Sequence, residues 1–484
     1  MISSVYLKSK AYIDGQWVSA DDSALFSVYD PANGDEIAQV ADCGQSETSR
    51  AVAAADVAFR EWSILPNAAR ADKLVSWHDL MLAHEDELAR ILTAEMGKPL
   101  AEAVGEIRYG ASYLLWYAEE AKRIYGDIIP HATPDARMMV IRQPVGVCAA
   151  ITPWNFPNAM LLRKAAAALA AGCTMVAKPA EDTPLSALAI AALAEKAGVP
   201  AGVFNVIPSS NAQEVGLELT SNATVRKVSF TGSTQVGRKL LAQSAETVKK
   251  ISLELGGNAP FIIFDDADID AAIAGVMASK YRNAGQTCVC ANRIFVQRPV
   301  HDTFVERLVA AVGKLKVGPG EDPASDIGPL INQAALDKVE KLVAEAQNEG
   351  ATLLTGGMRD DRGGLFYRPT ILGDATNAMA IAQSEIFGPI APIIPFDDEA
   401  DVYAQANDTP YGLAAYVYTR DLGRAWRAGE ALDYGMVGVN QGIISAVAAP
   451  FGGVKQSGIG REGSKYGLDD YLELKYLCLG GIAA

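Results

Sequence analysis

The chain has 484 residues, half of them hydrophobic, and carries 58 acidic against 42 basic residues for a net charge of -16. A chain of this size can bury more than one hydrophobic core, so we expect two or three domains. The negative charge disfavours nucleic acids and anionic membrane surfaces as partners, because like charges repel.

The N-terminal sequence MISSVYLKSKAYIDGQWV has no basic segment followed by an apolar run, and no stretch reaches the roughly eighteen apolar residues of a membrane span. We therefore expect a cytoplasmic protein without a membrane partner, whose six cysteines are reduced thiols. None of the four histidines lies at metal-ligand spacing from a cysteine or from another histidine. Their positions argue against a metal site and against a histidine-based catalytic triad.

The spacing of apolar residues changes along the chain. Residues 46–122 show helical spacing of apolar residues, interrupted at Gly97-Lys98-Pro99. Residues 146–255 alternate short apolar runs with alanine-rich helical segments, which predicts a parallel sheet of the dinucleotide-binding kind. Residues 259–440 alternate in the same way and predict a second α/β domain. The predicted fold class is therefore α/β.

Two further stretches, residues 128–141 and 471–479, look like strands that belong to neither sheet by chain order. Unpaired strands are an aggregation hazard, so we expect them at a subunit interface. We accordingly predict a dinucleotide-binding domain over residues 1–122 and 142–255, a catalytic domain over residues 256–445, and oligomerisation strands over residues 123–141 and 465–484.

Glycine-rich turns mark candidate nucleotide sites. The G-x-G-x-x-G pattern at residues 458–463 has too little chain after it for a β-α-β unit and no strand directly before it, so we interpret it as a chance match. Gly232 and Ser233 instead follow the predicted strand KVSF and precede a helix, whose first N-H groups could hold a pyrophosphate. Taken alone, this sequence is better explained as a tight strand-to-helix turn.

A lysine and a carboxylate follow the predicted strand TMVAK and strengthen the nucleotide interpretation. Lys178 ends the strand, and Glu181 stands three residues later. A carboxylate at this end of a strand can accept hydrogen bonds from an adenosine ribose and would repel a 2'-phosphate. The pair therefore favours NAD as the cofactor, with NADP as the alternative.

The stretch GQTCVCANR holds Cys288 and Cys290, which could be a metal pair, a disulfide, buried packing groups, or a nucleophile and its neighbour. With no histidine nearby, a nucleophile would need a carboxylate base. Glu254 supplies one at a predicted strand end, and Asn155 adds an amide donor in the motif PWNFP. Singly these two are as typical of a strand-end carboxylate and a helix cap. Together with a thiol they make a set of nucleophile, base and oxyanion donor. No comparable carboxylate and amide motifs accompany the cysteines at positions 43, 148, 173 and 478. We expect these four to be buried packing groups.

Five motifs in order along nearly the whole chain, PWNFP, LELGGN, GQTC, SEIFGP and PFGGVKQSG, closely resemble the aldehyde dehydrogenase superfamily. The resemblance implies that Cys288 attacks an aldehyde, that Asn155 and the Cys288 backbone N-H stabilise the oxyanion, and that Glu254 activates water to hydrolyse the thioester. It implies a Rossmann-type cofactor domain, a catalytic domain, and a homodimer or homotetramer. The cofactor-binding residues that it implies are Lys178, Glu181, Gly232, Ser233, Glu385, Trp154 and Phe387.

Longer stretches, including YRNAGQTCVCANR and the run PFGGVKQSGIGREGSKYGLDDYLELKY, resemble the succinate semialdehyde dehydrogenase group within that superfamily. This implies that Arg163, Arg282 and Ser445 bind the terminal carboxylate of a small aldehyde. Without the resemblance, surface ion pairs would be the expected role of the two arginines. The chain departs from the group at Ala446 and at residues 448–449, beside the substrate loop, so glutarate semialdehyde is the competing substrate. The sequence also leaves open a CoA-acylating enzyme and a non-catalytic structural protein on the same fold.

The resemblance also implies a role for Cys290, because members of this group can carry a cysteine here that forms a reversible disulfide with the nucleophile. A bond between residues so close in the chain would be strained and readily reduced. We predict that dithiothreitol restores activity after peroxide inactivation in the parent but restores much less in Cys290→Ser. Equal recovery of activity in the two proteins would contradict the hypothesis.

Overall fold

The computed structural model describes residues 4–132 and 134–482. Short hairpins open the chain and a run of helices follows. The interruption predicted at Gly97 is confirmed, because Gly97 ends a helix with φ +87°. These first elements are β1 (Ala11–Ile13), β2 (Gln16–Val18), β3 (Leu25–Tyr29), β4 (Glu36–Ala41), α1 (Gln45–Trp62), α2 (Asn67–Ala83), α3 (Glu85–Met96), α4 (Leu100–Ala121), β5 (Asp127–Ile129) and β6 (Arg137–Pro144).

Alternating strands and helices then build the first parallel sheet, as the sequence predicted. The elements are β7 (Val147–Ile151), α5 (Pro157–Ala171), β8 (Thr174–Lys178), α6 (Pro184–Lys196), β9 (Phe204–Val206), α7 (Ala212–Ser221), β10 (Val225–Thr231), α8 (Thr234–Ala245) and β11 (Lys250–Glu254). Parallel strands run in the order β11-β10-β7-β8-β9, and the hairpin β1-β2 extends the sheet beyond β9. Sequence order alone did not place that hairpin, since β1 pairs with β9 across nearly two hundred residues.

A second sheet follows in the order β14-β15-β16-β13-β12-β17-β18. Its central strands are buried on both faces, which explains their continuous apolar sequences. The elements are β12 (Ala259–Ile263), α9 (Ile269–Val276), β13 (Ala291–Gln297), α10 (Arg298–Val312), α11 (Gln333–Asn348), β14 (Thr352–Thr355), β15 (Thr370–Gly373), α12 (Ala380–Gln383), β16 (Ile390–Phe396), α13 (Glu399–Asn407), β17 (Ala414–Tyr418), α14 (Leu422–Ala431) and β18 (Met436–Val439).

The C-terminal segment returns to the first sheet and then leaves it. β19 (Gly458–Ile459) pairs antiparallel with the end of β11, so Gly458 lies opposite Glu254. β20 (Leu472–Leu479) then pairs with β6, which also pairs with β5, and these strands form a separate small sheet. The strands expected in residues 128–141 and 471–479 are thus confirmed. On the basis of these three sheets we propose that the chain divides into the dinucleotide-binding, catalytic and oligomerisation parts that the sequence predicted.

The six cysteines are free thiols. Cys43, Cys148 and Cys173 are buried as predicted, but Cys478 is exposed and that prediction was wrong. The reason is its place on β20, where the neighbouring side chains are also largely exposed. In the part of the chain that the structure describes, no helix combines the length and the apolar character needed to cross a membrane.

Candidate active site

Residues that follow β7, β10 and β11 line one pocket together with the loop before β13, with a cavity volume of about 380 Å³. The structure brings most of the predicted site residues to its wall. They are Asn155, Glu254, Cys288, Trp154, Gly232, Ser233, Glu385, Phe387, Arg163, Arg282 and Ser445. Lys178, Glu181 and Cys290 are not among the residues of this wall.

A strained turn presents Cys288 to the pocket. Asn283 and Ala284 both have φ of +54° and Gly285 has φ of +74°, which places three consecutive residues in the left-handed region. Left-handed backbone is costly for residues with a Cβ, so the surrounding contacts must hold it. Glu102 Oε2 accepts a hydrogen bond from Asn283 N at 2.9 Å, and a Cβ on Gly285 would lie 2.2 Å from Gly388 O. The turn is therefore fixed by its neighbours.

Asn155 is anchored beside the same turn. Its side-chain Nδ2 donates to Gln286 O at 3.0 Å, and its backbone carbonyl accepts from Lys98 Nζ at 2.8 Å and from Asn283 Nδ2 at 3.1 Å. A side-chain amide has two N-H donors. The second one has no protein acceptor among the described residues and remains available to an oxygen in the pocket.

Lys98 is a residue of this site that sequence reasoning missed. It is fully buried, forms an ion pair with Glu106 at 2.6 Å, and lies 3.9 Å from the centre of the Phe156 ring. Glu106 in turn accepts hydrogen bonds from the first N-H groups of α5. The stretch Gly97-Lys98-Pro99 indicated a helix break, but no neighbouring residue in the sequence indicates that Lys98 is buried.

The Cys288 thiol is neutral in this arrangement. Burial raises its pKa to about 12, the nearby carboxylates of Glu385 and Glu254 also raise it, and the Arg163 guanidinium lowers it. A thiolate is the nucleophilic form of cysteine. Reaction at neutral pH therefore requires a base that takes the thiol proton.

Glu254 lies at the end of β11 and is buried, with neither carboxylate oxygen hydrogen-bonded within the described chain. Burial raises its pKa well above the ordinary value, and the negative charge of Glu462 raises it further. Arg163, Lys164 and Arg461 oppose that rise. A buried carboxyl group with a raised pKa and no fixed partner is suited to exchange protons.

Glu462 was also missed by sequence reasoning, although it belongs to the G-x-G-x-x-G pattern. Its carboxylate contacts Lys164 Nζ, accepts from Ser229 Oγ at 3.2 Å, and lies 2.6 Å from Arg163 Nε. Although burial opposes ionisation, the two cations lower its pKa to about 2. Glu462 therefore remains a buried negative charge beside the pocket.

The predicted substrate residues differ in their access to the pocket. Arg282 is partly exposed, and no carboxylate in residues 4–132 or 134–482 forms an ion pair with it. Ser445 is also partly exposed. Arg163 is only 1% exposed and forms the ion pair with Glu462, an interaction inside the protein and not on its surface.

At the other end of the pocket, Ser233 caps the N-terminus of α8 by accepting from Val236 N at 3.3 Å. Glu385 Oε1 accepts from Gly257 N at 2.8 Å, and a Cβ on Gly256 would lie 2.9 Å from Glu385 Oε2. The rings of Trp154 and Phe387 meet edge to face with centres 5.4 Å apart. This end combines a helix N-terminus, a carboxylate and aromatic walls.

Lys178 and Glu181 lie together at the end of β8, with Lys178 Nζ donating to Glu181 Oε2 at 3.3 Å. The side chain of Lys178 is buried, whereas half of the Glu181 side chain is exposed. Asp182 is next in sequence, and burial together with Glu181 raises its pKa to about 6.

Cys290 is buried behind Cys288. Its thiol donates to Lys280 O at 3.7 Å and to Ala291 O at 3.5 Å, and Lys280 itself is buried. The disulfide with Cys288 stays a prediction. No group of three or more His, Cys, Asp or Glu residues that could hold a metal ion occurs in the described ranges.

Comparison with known proteins adds to this geometry. A model of the aldehyde dehydrogenase family matches residues 17–477. The chain is 58% identical to a glutarate-semialdehyde dehydrogenase of Pseudomonas aeruginosa and 58% identical to an NADP(+) succinate-semialdehyde dehydrogenase of Escherichia coli K12, each over 98% of both proteins. The crystal structure of a succinate-semialdehyde dehydrogenase from Burkholderia pseudomallei superposes with a TM-score of 0.98 at 56% identity, over 99% of each chain.

The raised pKa of Cys288 predicts how its reactivity depends on pH. Because the pKa is about 12, the thiolate fraction should increase about tenfold per pH unit between pH 7 and pH 10 in the protein without ligands. Iodoacetamide labelling of Cys288, followed by mass spectrometry of its peptide, should show the same increase in rate. The buried Cys290 in that peptide is an internal control that should label more slowly, and a rate plateau for Cys288 below pH 9 would contradict the assignment.

Proposed function

Because the chain belongs to the aldehyde dehydrogenase family, we propose that it oxidises succinate semialdehyde to succinate with a nicotinamide cofactor. The observation that carries the proposal is the placement of a thiol, a carboxyl group without a fixed partner and an amide donor at one pocket wall. Its relatives include succinate- and glutarate-semialdehyde dehydrogenases over nearly the whole length.

The three residues divide the chemistry. Glu254 in its ionised form takes the Cys288 thiol proton and passes it to solvent. Cys288 Sγ then attacks the aldehyde carbon, and the free N-H of Asn155 together with the Cys288 backbone N-H donates to the carbonyl oxygen as it becomes negative. A bound nicotinamide cofactor would supply the acceptor for the hydride that leaves the thiohemiacetal carbon, which leaves a thioester on Cys288. Glu254 then takes a proton from water, the hydroxide adds to the thioester carbon, and the C-S bond breaks to release the acid and the thiolate.

The residues at the far end of the pocket fit such a cofactor. The N-terminus of α8 suits a pyrophosphate, and the glycine at position 256 leaves space beside the Glu385 carboxylate that a side chain would fill. Ser233 would hold the pyrophosphate, Glu385 the nicotinamide ribose, and Lys178 with Glu181 the adenosine ribose. Gly232, Trp154 and Phe387 would form the walls between these points.

Glu181 supports NAD as the preferred form. Its half-exposed carboxylate and the neighbouring Asp182 place negative charge where a 2'-phosphate would bind. The Escherichia coli relative is named for NADP(+), so NADP is the alternative. Lys178 lies beside Glu181, but its amine is already shared between Glu181 and Pro179 O.

The choice of an acidic aldehyde rests on the cations at the pocket wall. In a chain of net charge -16, an anionic substrate needs local positive charge, and Arg282 at the pocket wall supplies a guanidinium that forms no ion pair among the described residues. Arg163 at the same wall adds a second guanidinium, whose Nη1 has no partner among the described residues, and Ser445 adds a hydroxyl. Glutarate semialdehyde, one methylene longer, is the second candidate, since a glutarate-semialdehyde dehydrogenase is equally similar.

The proposal is tested by the absorbance of the reduced nicotinamide. We expect the highest kcat/KM for succinate semialdehyde, a lower value for glutarate semialdehyde and a much lower value for butanal, with NAD preferred to NADP. Cys288→Ser should remove turnover with every aldehyde. Formation of free acid without CoA separates hydrolysis from acyl transfer to CoA, and failure to oxidise any of the three aldehydes would favour a structural protein.

We propose that the small sheet β20-β6-β5 mediates a homodimer or homotetramer. On β20 the side chains of Leu474 and Tyr476, two residues apart and therefore on one face of the strand, are more than half exposed. Apolar side chains exposed side by side on a sheet are typical of an interface.

Charge placed on this sheet should weaken the assembly. In sedimentation velocity we expect the parent to exceed the 51.2 kDa of one chain and Leu474→Glu to shift toward smaller species, because burying an unpaired carboxylate is costly. Leu422→Glu on α14 is the matched control, since Leu422 is also exposed but lies outside the sheet. A monomeric parent, or equal sizes for parent and Leu474→Glu, would contradict the proposal.

A further inference from the structure

Lys98 contacts the loop that carries Asn155 without reaching the pocket. Its ammonium donates to the Asn155 backbone carbonyl at 2.8 Å and to Glu106 Oε2 at 2.6 Å, and it lies 3.9 Å from the centre of the Phe156 ring. The side chains of Lys98 and Glu106 are almost completely buried. Neither residue belongs to the pocket wall that the described residues form, so neither touches a substrate there.

Glu106 fixes the same loop at its other end. Its Oε1 accepts from Asn158 N at 2.9 Å and from Ala159 N at 3.2 Å, in the first turn of α5. Glu106 lies within α4, and Lys98 lies just before that helix. The ion pair therefore ties the start of α4 both to the Asn155 carbonyl and to the helix that begins two residues after Asn155.

Stability alone does not explain a buried ion pair at this position. Taking two charges out of water is costly, and an apolar pair of similar volume is often equally stable. What the Lys98 ammonium adds is a directed hydrogen bond to Asn155, whose side chain lies at the pocket wall. The pair is therefore better explained by the orientation of Asn155 than by the stability of the fold.

The Asn155 carbonyl is also where the two halves of the site meet. Besides the Lys98 ammonium, it accepts from Asn283 Nδ2 at 3.1 Å, and Asn283 belongs to the turn before Cys288. One N-H of the Asn155 side chain is held by Gln286 O at 3.0 Å. These contacts fix the remaining N-H relative to Cys288. A displacement of about 1 Å in a catalytic site can lower the rate by about 100-fold.

We propose that Lys98, with Glu106 as its counter-charge, is a positioning residue that holds the Asn155 amide at the oxygen that becomes negative. The inference rests on the proposed function, since it requires attack of Cys288 on an aldehyde. Lys98 acts through Asn155 and contacts neither substrate nor cofactor.

Removing both charges tests the role of the pair. Lys98→Met alone would leave Glu106 as a buried charge without a partner, which impairs folding. The pair variant, Lys98→Met with Glu106→Gln, avoids this, and the glutamine oxygen can still accept from the N-H groups of α5. We expect the pair variant to lower kcat and kcat/KM by the same factor, about 10- to 100-fold, with each aldehyde that the parent oxidises. The rate of iodoacetamide labelling of Cys288 should stay at the parent value, because the thiol itself is not displaced.

A double-mutant cycle with Asn155→Ala shows whether the pair acts through Asn155. Asn155→Ala should itself lower kcat by about 100- to 1,000-fold, because one donor to the oxyanion is lost. In that background the pair variant should change kcat by less than about threefold, since no amide is left to position. A loss of kcat through general damage to the fold would instead persist without the Asn155 side chain.

Lys227→Met is the matched control. Lys227 is a fully buried lysine on β10 that donates to Ser252 Oγ at 2.7 Å, and it does not belong to the pocket wall of the described chain. Its substitution should leave kcat at the parent value. Thermal unfolding is measured for every variant beside the kinetics.

The outcomes separate the two claims. If the parent oxidises succinate semialdehyde and the pair variant lowers kcat by the same factor with and without the Asn155 side chain, the inference is overturned and the proposed function stands. An unchanged kcat in the pair variant, or an equal loss in Lys227→Met, overturns the inference in the same way. A parent that oxidises no aldehyde overturns both.

Discussion

The carboxylate of Glu462 is the charge on which the candidate active site depends. It is buried between Lys164 and Arg163, which are themselves almost inaccessible to water. Two cations buried without a counter-charge would each cost several kcal/mol, and removing one partner of such a group typically costs about 3 to 5 kcal/mol. Since Glu462 lies in the segment that leads to β20, this ion cluster also fixes the C-terminal part of the chain against α5.

The same cluster sets the protonation of the reactive groups. Glu462 is one reason that the pKa of Glu254 is raised, and burial raises the pKa of the Cys288 thiol. Arg163 favours the ionised form of both, yet its charge is already shared with Glu462. The Arg163 guanidinium therefore stabilises the ionised forms of both the Cys288 thiol and the Glu254 carboxyl group. This shared interaction couples the two proton transfers electrostatically.

Much of this was accessible from sequence. The alternation of strands and helices predicted the α/β fold, and motif resemblance identified the residues around Cys288. Lys98 and Glu462 were missed, because their roles depend on contacts with residues elsewhere in the chain. The pattern that contains Glu462 was interpreted as a chance glycine match, and this interpretation overlooked the contact of Glu462 with Lys164, 298 positions earlier. Cys478 was misplaced because strand sequence does not reveal which face stays uncovered.

The pairing of β19 with β11 has a consequence for synthesis of the protein. A ribosome that has completed Cys288 still has to add Glu462 and the residues around it before the ion cluster can form. Domains fold as their sequences emerge, but contacts with late segments must wait. In an incomplete chain, Cys288 therefore lies in a pocket that lacks Glu462 and its ion pairs with Lys164 and Arg163. The active site is therefore completed last, by a segment that contains none of the reactive residues Cys288, Glu254 and Asn155.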